Sequence, residues 1–122
     1  MKLNHLQVST YDVDASVGFY ERFFGFRKGW EAGGETFLVR EADEDGFLLA
    51  LKPVEEGAEA PEWLHFGFTV DTIEEVKEKH AVLESAGIEF ETAILDRDDM
   101  AVFYALDPGS GNRVEVGCWC PA

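Results

Sequence analysis

Apolar and polar side chains alternate along NHLQVST, residues 4–10, with Leu6 and Val8 on one side and His5, Gln7 and Ser9 on the other. That is the period of a strand with one covered face. The pattern then turns helical. In ASVGFYERFF, Val17, Phe19, Tyr20, Phe23 and Phe24 share a helix face, Asp14 is placed to cap the first turn, and Gly25 supplies the left-handed residue that ends it. Three β-rich runs follow, FRKGW, ETFLVR and GFLLALKP, separated by the turn-formers EAGG and EADEDG, and the last two runs are expected to pair as a hairpin. VEEGAEAPE, residues 54–62, has neither period and reads as an exposed linker.

The same order then restarts. WLHFGFTV, residues 63–70, sets Leu64, Phe66, Phe68 and Val70 on one face and His65, Gly67 and Thr69 on the other. Thr72 and Glu75 have capping-box spacing at the head of IEEVKEKHAVLESA, which Gly87 closes, and Ile73, Val76, Leu83 and Ala86 form its apolar stripe. His80 lies beside that stripe, where it covers the edge of the core. IEFETAIL, MAVFYAL and NRVEVGCW read as three more strands, with DPGSG turning between the last two. A repeated order of this kind constrains the architecture. The expectation is an α+β fold in one domain, residues 1–122: module one over 1–53, the linker over 54–62 and module two over 63–122. Each module is βαβββ, the helices lie on the outer face, and a curved mixed sheet surrounds a concave site.

Candidate chemistry comes from the polar faces. His5 and His65 are sixty positions apart and occupy the same place in the first strand of their modules. In NRVEVGCW, Val114, Val116 and Cys118 take one face and leave Glu115, Gly117 and Trp119 on the other. A single histidine in a strand is most often a half-exposed polar residue. Two in matching register, with a carboxylate that also faces away from the helices, point into the concave side as three potential ligands. Trp30, Phe37, Trp63 and Trp119 could line a pocket, although for each alone the core is the better expectation.

Charge narrows the partners. With 25 acidic and 10 basic residues the chain carries −15, so nucleic acid and an anionic membrane surface are not expected to bind it. The 46% apolar content excludes disorder, and such an acidic surface suits high salt. MKLNHLQVST has no apolar run behind its lysine, so a cytoplasmic location is the expectation. Cys118 and Cys120 are the only cysteines, which rules out a disulfide framework and suggests packed, reduced thiols.

NHLQVSTYDVDASVGFYERFFGF, LHFGFTV with its helix, and FYALDPGSGNRVEV together resemble the vicinal oxygen chelate superfamily over essentially the whole chain. That superfamily includes glyoxalase I, extradiol dioxygenases, fosfomycin-resistance thiol transferases and bleomycin-resistance proteins. The resemblance implies a divalent metal held by His5, His65 and Glu115. Ala50 stands where a fourth ligand would, so the set typical of glyoxalase I is incomplete and the remaining three are similar to those of the dioxygenases and fosfomycin enzymes. Two imidazoles and a carboxylate suit Fe(II) or Mn(II) with positions open to substrate oxygens. The implied function is a dioxygenase-, lyase- or transferase-like enzyme acting on a small oxygen-chelating substrate; the alternative is a metal-free binding protein of the bleomycin-resistance type. Tyr104 matches a substrate-contacting tyrosine of the fosfomycin enzymes and is the catalytic candidate. Gln7, Ser9, Lys52 and Trp119 are the candidates for binding substrate. Arg97 and Arg113 are isolated, unlike the basic cluster that grips a phosphonate, and DPGSGN is one residue longer than the family's usual turn. The resemblance also implies a homodimer, with His5 from one chain and His65 and Glu115 from its partner as one arrangement.

Overall fold

A computed structural model describes residues 1–40, 46–58 and 60–119. Part of the EADEDG turn, Glu59 of the linker, and Cys120 fall outside the described residues. The chain divides into two compact units, Met1–Ala60 with Pro108–Ser110, and Pro61–Asp107 with Gly111–Ala122. Each contains one helix on one four-stranded mixed sheet, which is the expected βαβββ content. Among the described residues no helix is long and apolar enough to cross a membrane.

In the first unit, β1 (His5–Thr10), α1 (Val13–Phe24), β2 (Phe26–Ala32), β3 (Glu35–Arg40) and β4 (Leu48–Pro53) follow in order. The sheet order is β1-β4-β3-β2, with β1 parallel to β4 and the other pairs antiparallel. The expected hairpin is therefore the β3–β4 pair. Alternation decides which side is covered: Val8, Leu38, Leu49 and Leu51 are buried, whereas His5, Gln7 and Ser9 are exposed. α1 supplies the other half of this core through Phe19, Tyr20, Phe23 and Phe24. Tyr20 meets Phe19 and Phe26 edge-on at 5.1 and 5.8 Å. Burying each such side chain contributes about 1.5–3 kcal/mol. The helix starts two residues earlier than expected. Asp12, not Asp14, is the N-cap, its side chain accepting from Ala15 N at 3.1 Å, and Asp14 instead lies in the first turn beside the helix dipole's positive end. Gly25 closes the helix at φ +72° as expected.

A buried polar joint completes this unit. Thr10 Oγ1 lies 2.7 Å from Ser16 Oγ and donates to the Gly109 carbonyl at 2.8 Å, and the amides of Tyr11 and Asp12 donate to the same carbonyl at 3.0 Å. The last turn of the chain, Pro108–Ser110, is thereby bound to the β1–α1 junction.

The second unit comprises β5 (His65–Thr69), α2 (Ile73–Ser85), β6 (Leu95–Arg97), β7 (Met100–Leu106) and β8 (Arg113–Trp119), with sheet order β5-β8-β7-β6. β5 runs parallel to β8, and β7 is antiparallel to both β8 and β6. Thr72 caps α2 by accepting from Glu75 N at 3.1 Å, as its spacing predicts. At the other end Gly87 has φ +81°, and Ile88 N bonds Leu83 O at 3.1 Å, the Schellman closure. Val76 and Leu83 of the helix and Phe103, Ala105, Val114 and Val116 of the sheet are fully buried or nearly so.

Two expectations fail in this unit. IEFETAIL is not one strand: Phe90 makes an isolated bridge to Ala105, and pairing resumes only at Leu95. Phe90 is held in place by stacking on His80 at 4.3 Å and by an edge contact with Phe103 at 5.5 Å, so the two ends of the segment pair while its middle departs. The Cys118 thiol is not reduced, because Cys118 is disulfide-bonded.

Candidate functional site

On β5, alternation buries Phe66 and Phe68 partly toward α2 and leaves His65, Gly67 and Thr69 exposed. Pairing then sets the rows. Gly67 lies beside Glu115 of β8, and Glu115 lies directly opposite Tyr104 of β7, so all share the face away from the helix. The rings of His65 and Tyr104 meet edge-on at 5.4 Å although they belong to strands on either side of β8. Three side chains named from the sequence, His65, Tyr104 and Glu115, thus converge on one face of one sheet.

The Tyr104 phenol is held above its ordinary value of 10.0, first by donating its hydrogen bond to the Glu115 carboxylate, then by burial and by the negative charge of Glu115. All three favour the protonated phenol. The contribution of this hydrogen bond to stability is complete below the ordinary phenol range and is lost as pH rises through the raised value. Subtracting the alkaline absorbance titration of Tyr104→Phe from that of wild type is expected to give a midpoint above 10.0 for this residue; a midpoint at or below that value rules the contact out in solution.

The rest of β8 frames Glu115. Arg113 pairs through Nε with the Glu91 carboxylate and donates to the Pro61 carbonyl at 3.1 Å, so it is engaged structurally. Trp119 folds back over Gly117, where an added Cβ would lie 2.7 Å from the indole. Trp119 remains 48% exposed, as do Trp30 at 46% and Trp63 at 80%, so the core expectation fails for all three tryptophans. Their residues lie on the polar sides of strands or, for Trp63, just ahead of β5, where no layer of the same unit covers them.

In the first unit His5, Gln7 and Ser9 share the exposed face of β1, next to Leu48, Ala50 and Lys52 of β4. His5 Nδ1 lies 3.0 Å from Asn4 Oδ1. Gln7 donates to the Glu35 carboxylate across β4, and Lys52 is exposed on the same side. Trp30 stacks on Phe37 at 5.2 Å with 11° between the rings, in the same row as Ala50. Glu35 is a groove-face carboxylate that sequence reading missed. The signal was the alternation in ETFLVR, which sets Glu35, Phe37 and Val39 opposite the buried Thr36 and Leu38.

These donors fit a divalent metal by their chemistry. His65 and Glu115 supply an imidazole and a carboxylate on one face, the carboxylate already has an outer partner in Tyr104, and His5 occupies the corresponding position in the first unit. Among the described residues, neither unit by itself contains a group of three or more His, Cys, Asp or Glu able to hold a metal ion.

The chain belongs to the Glyoxalase/Bleomycin resistance protein/Dioxygenase superfamily, which residues 2–116 match. It is 29% identical over 123 aligned positions to a protein of Bacillus subtilis (strain 168) described as a probable trivalent organoarsenical cleaving enzyme, covering 94% of this chain and 78% of that one. A solved structure described as "a possible Glyoxalase" from Bacillus cereus matches with a TM-score of 0.78 at 28% identity, covering 97% and 99% of the two chains. The fosfomycin resistance protein FosX from Listeria monocytogenes shares the fold at 18% identity, with a TM-score of 0.78 and coverage of 97% and 93%. Family and fold are thus those that the sequence motifs imply.

Proposed function

We propose that this protein is a divalent-metal-dependent enzyme of the vicinal oxygen chelate type, acting in the cytoplasm on a small molecule that chelates through oxygen. The observation that carries this reading is the convergence of His65, Tyr104 and Glu115 on one sheet face, with His5 at the equivalent place of the other unit. In this reading His5, His65 and Glu115 hold Fe(II) or Mn(II), and the protein works as a homodimer in which His5 comes from one chain and His65 with Glu115 from its partner. The metal would supply Lewis-acid polarisation of bound substrate oxygens. Glu115 offsets part of the cation's charge. Gln7, Ser9 and Lys52 offer hydrogen bonds to a polar substrate from the His5 face, and Trp119 offers an apolar wall beside Glu115. Cleavage of a trivalent organoarsenical, which the Bacillus subtilis relative's description names, belongs among the reactions to assay.

A second reading is a metal-free binding protein. It is favoured by the stacked and partly exposed Trp30–Phe37 pair, which is suited to holding a flat ligand without a metal. Elemental analysis after anaerobic incubation with Fe(II) or Mn(II) and removal of free metal separates the two. The enzyme reading expects about one equivalent per chain in wild type and its loss in His65→Ala. Less than about a tenth of an equivalent in wild type, unchanged by the substitution, supports the binding protein instead.

A further inference from the structure

We propose that Tyr104 and Gly67 are positioning residues for Glu115, and that Tyr104 acts through that carboxylate instead of on the substrate. The inference rests on the metal reading above and assigns the neighbours that set its acidic ligand. Glu115 lies on β8 between β5 and β7, and the two flanking strands treat it in opposite ways. On the β5 side space is cleared. A Cβ at position 67 would lie 2.6 Å from Glu115 Cβ and closer still to its carbonyl oxygen. Gly67 does not have a positive φ, so glycine is required there for room and not for conformation. Its neighbours on the same face, His65 and Thr69, both carry side chains, and the gap falls only at the row of Glu115.

On the β7 side a donor is provided. Tyr104 is directly opposite Glu115, and its hydroxyl hydrogen-bonds to the carboxylate. The same ring packs edge-on against His65 at 5.4 Å. One tyrosine therefore touches both ligands of the second unit. The phenol's hydrogen bond would fix the orientation in which the Glu115 carboxylate is offered to a cation. An outer partner of this kind orients a metal ligand and raises the affinity of the site.

The test reads metal binding without turnover. Co(II) affinity and the visible Co(II) spectrum are measured for wild type, Tyr104→Phe, Gly67→Ala and Glu115→Gln, with the melting temperature of each metal-free protein as a check on folding. Tyr104→Phe is expected to bind Co(II) about 10- to 100-fold more weakly with an altered spectrum. In a Glu115→Gln background the same change is expected to cost no more than about twofold, because its effect passes through the carboxylate. Gly67→Ala is expected to weaken binding by about tenfold if it folds, and Tyr104→Phe decides the matter if it does not. Wild-type affinity and spectrum in Tyr104→Phe, alongside weakened binding in Glu115→Gln, overturns the proposal and leaves the metal reading standing. Equal binding by wild type and Glu115→Gln removes the metal reading and this proposal with it.

Discussion

Gly109→Ala is expected to lose about 3 kcal/mol of stability, a fall of roughly 12 °C in melting temperature for a domain of this size. An added Cβ would lie 2.8 Å from Ser16 N and nearer still to Ser16 Oγ and the Asp12 carbonyl. Two of these three atoms are backbone, so no rotamer change relieves the overlap. The turn would have to retreat from the β1–α1 junction. Retreat weakens the hydrogen bonds that Tyr11 N, Asp12 N and Thr10 Oγ1 donate to the Gly109 carbonyl, each contributing about 1 kcal/mol. It also leaves Thr10 and Ser16, both buried, short of a partner in the joint they share. Calorimetry checks this. A fall below about 1 kcal/mol would mean that the turn relaxes freely and that the joint does not hold the unit together.

Phe103→Ala should cost about 3–5 kcal/mol, the range for removing a buried aromatic ring. Phe103 is fully buried on β7, edge-on to His80 at 5.2 Å and to Phe90 at 5.5 Å. Three elements meet at this ring: α2 through His80, the segment before β6 through Phe90, and the sheet itself. Its removal leaves a cavity that a strand in the middle of a sheet cannot close. Tyr104, the next residue, points to the opposite face, so the phenol–carboxylate contact should persist in the folded variant. Urea denaturation that shows a lower midpoint with an unchanged slope is the expected result. A loss under about 1.5 kcal/mol would show that His80 and Phe90 collapse into the space.

The faces of the strands were legible because alternation is a local property. His5, Gln7 and Ser9, and His65 and Glu115, all stand away from the helices as their spacing predicts, and Leu49 and Leu51 are buried on either side of Ala50 in the chain. The capping pair Thr72 and Glu75 was legible for the same reason, since cap chemistry spans only three residues. At α1 the spacing pointed to Asp14, and only the observed backbone, with Asp12 extended at φ −138°, makes Asp12 the cap. IEFETAIL carried the right alternation but lacked a partner strand along its whole length, which the segment's own residues do not reveal.

By itself the sequence determined the family, the two βαβββ modules, and the side of the sheet on which each candidate ligand stands, because periods of 2.0 and 3.6 residues are written into neighbouring positions. Only the tertiary structure decided which residues share a row: Gly67 beside Glu115, Tyr104 across from it, Gln7 reaching Glu35. Strand register depends on pairing between segments distant in the chain, and a shift by two residues would keep every face while breaking every one of these contacts.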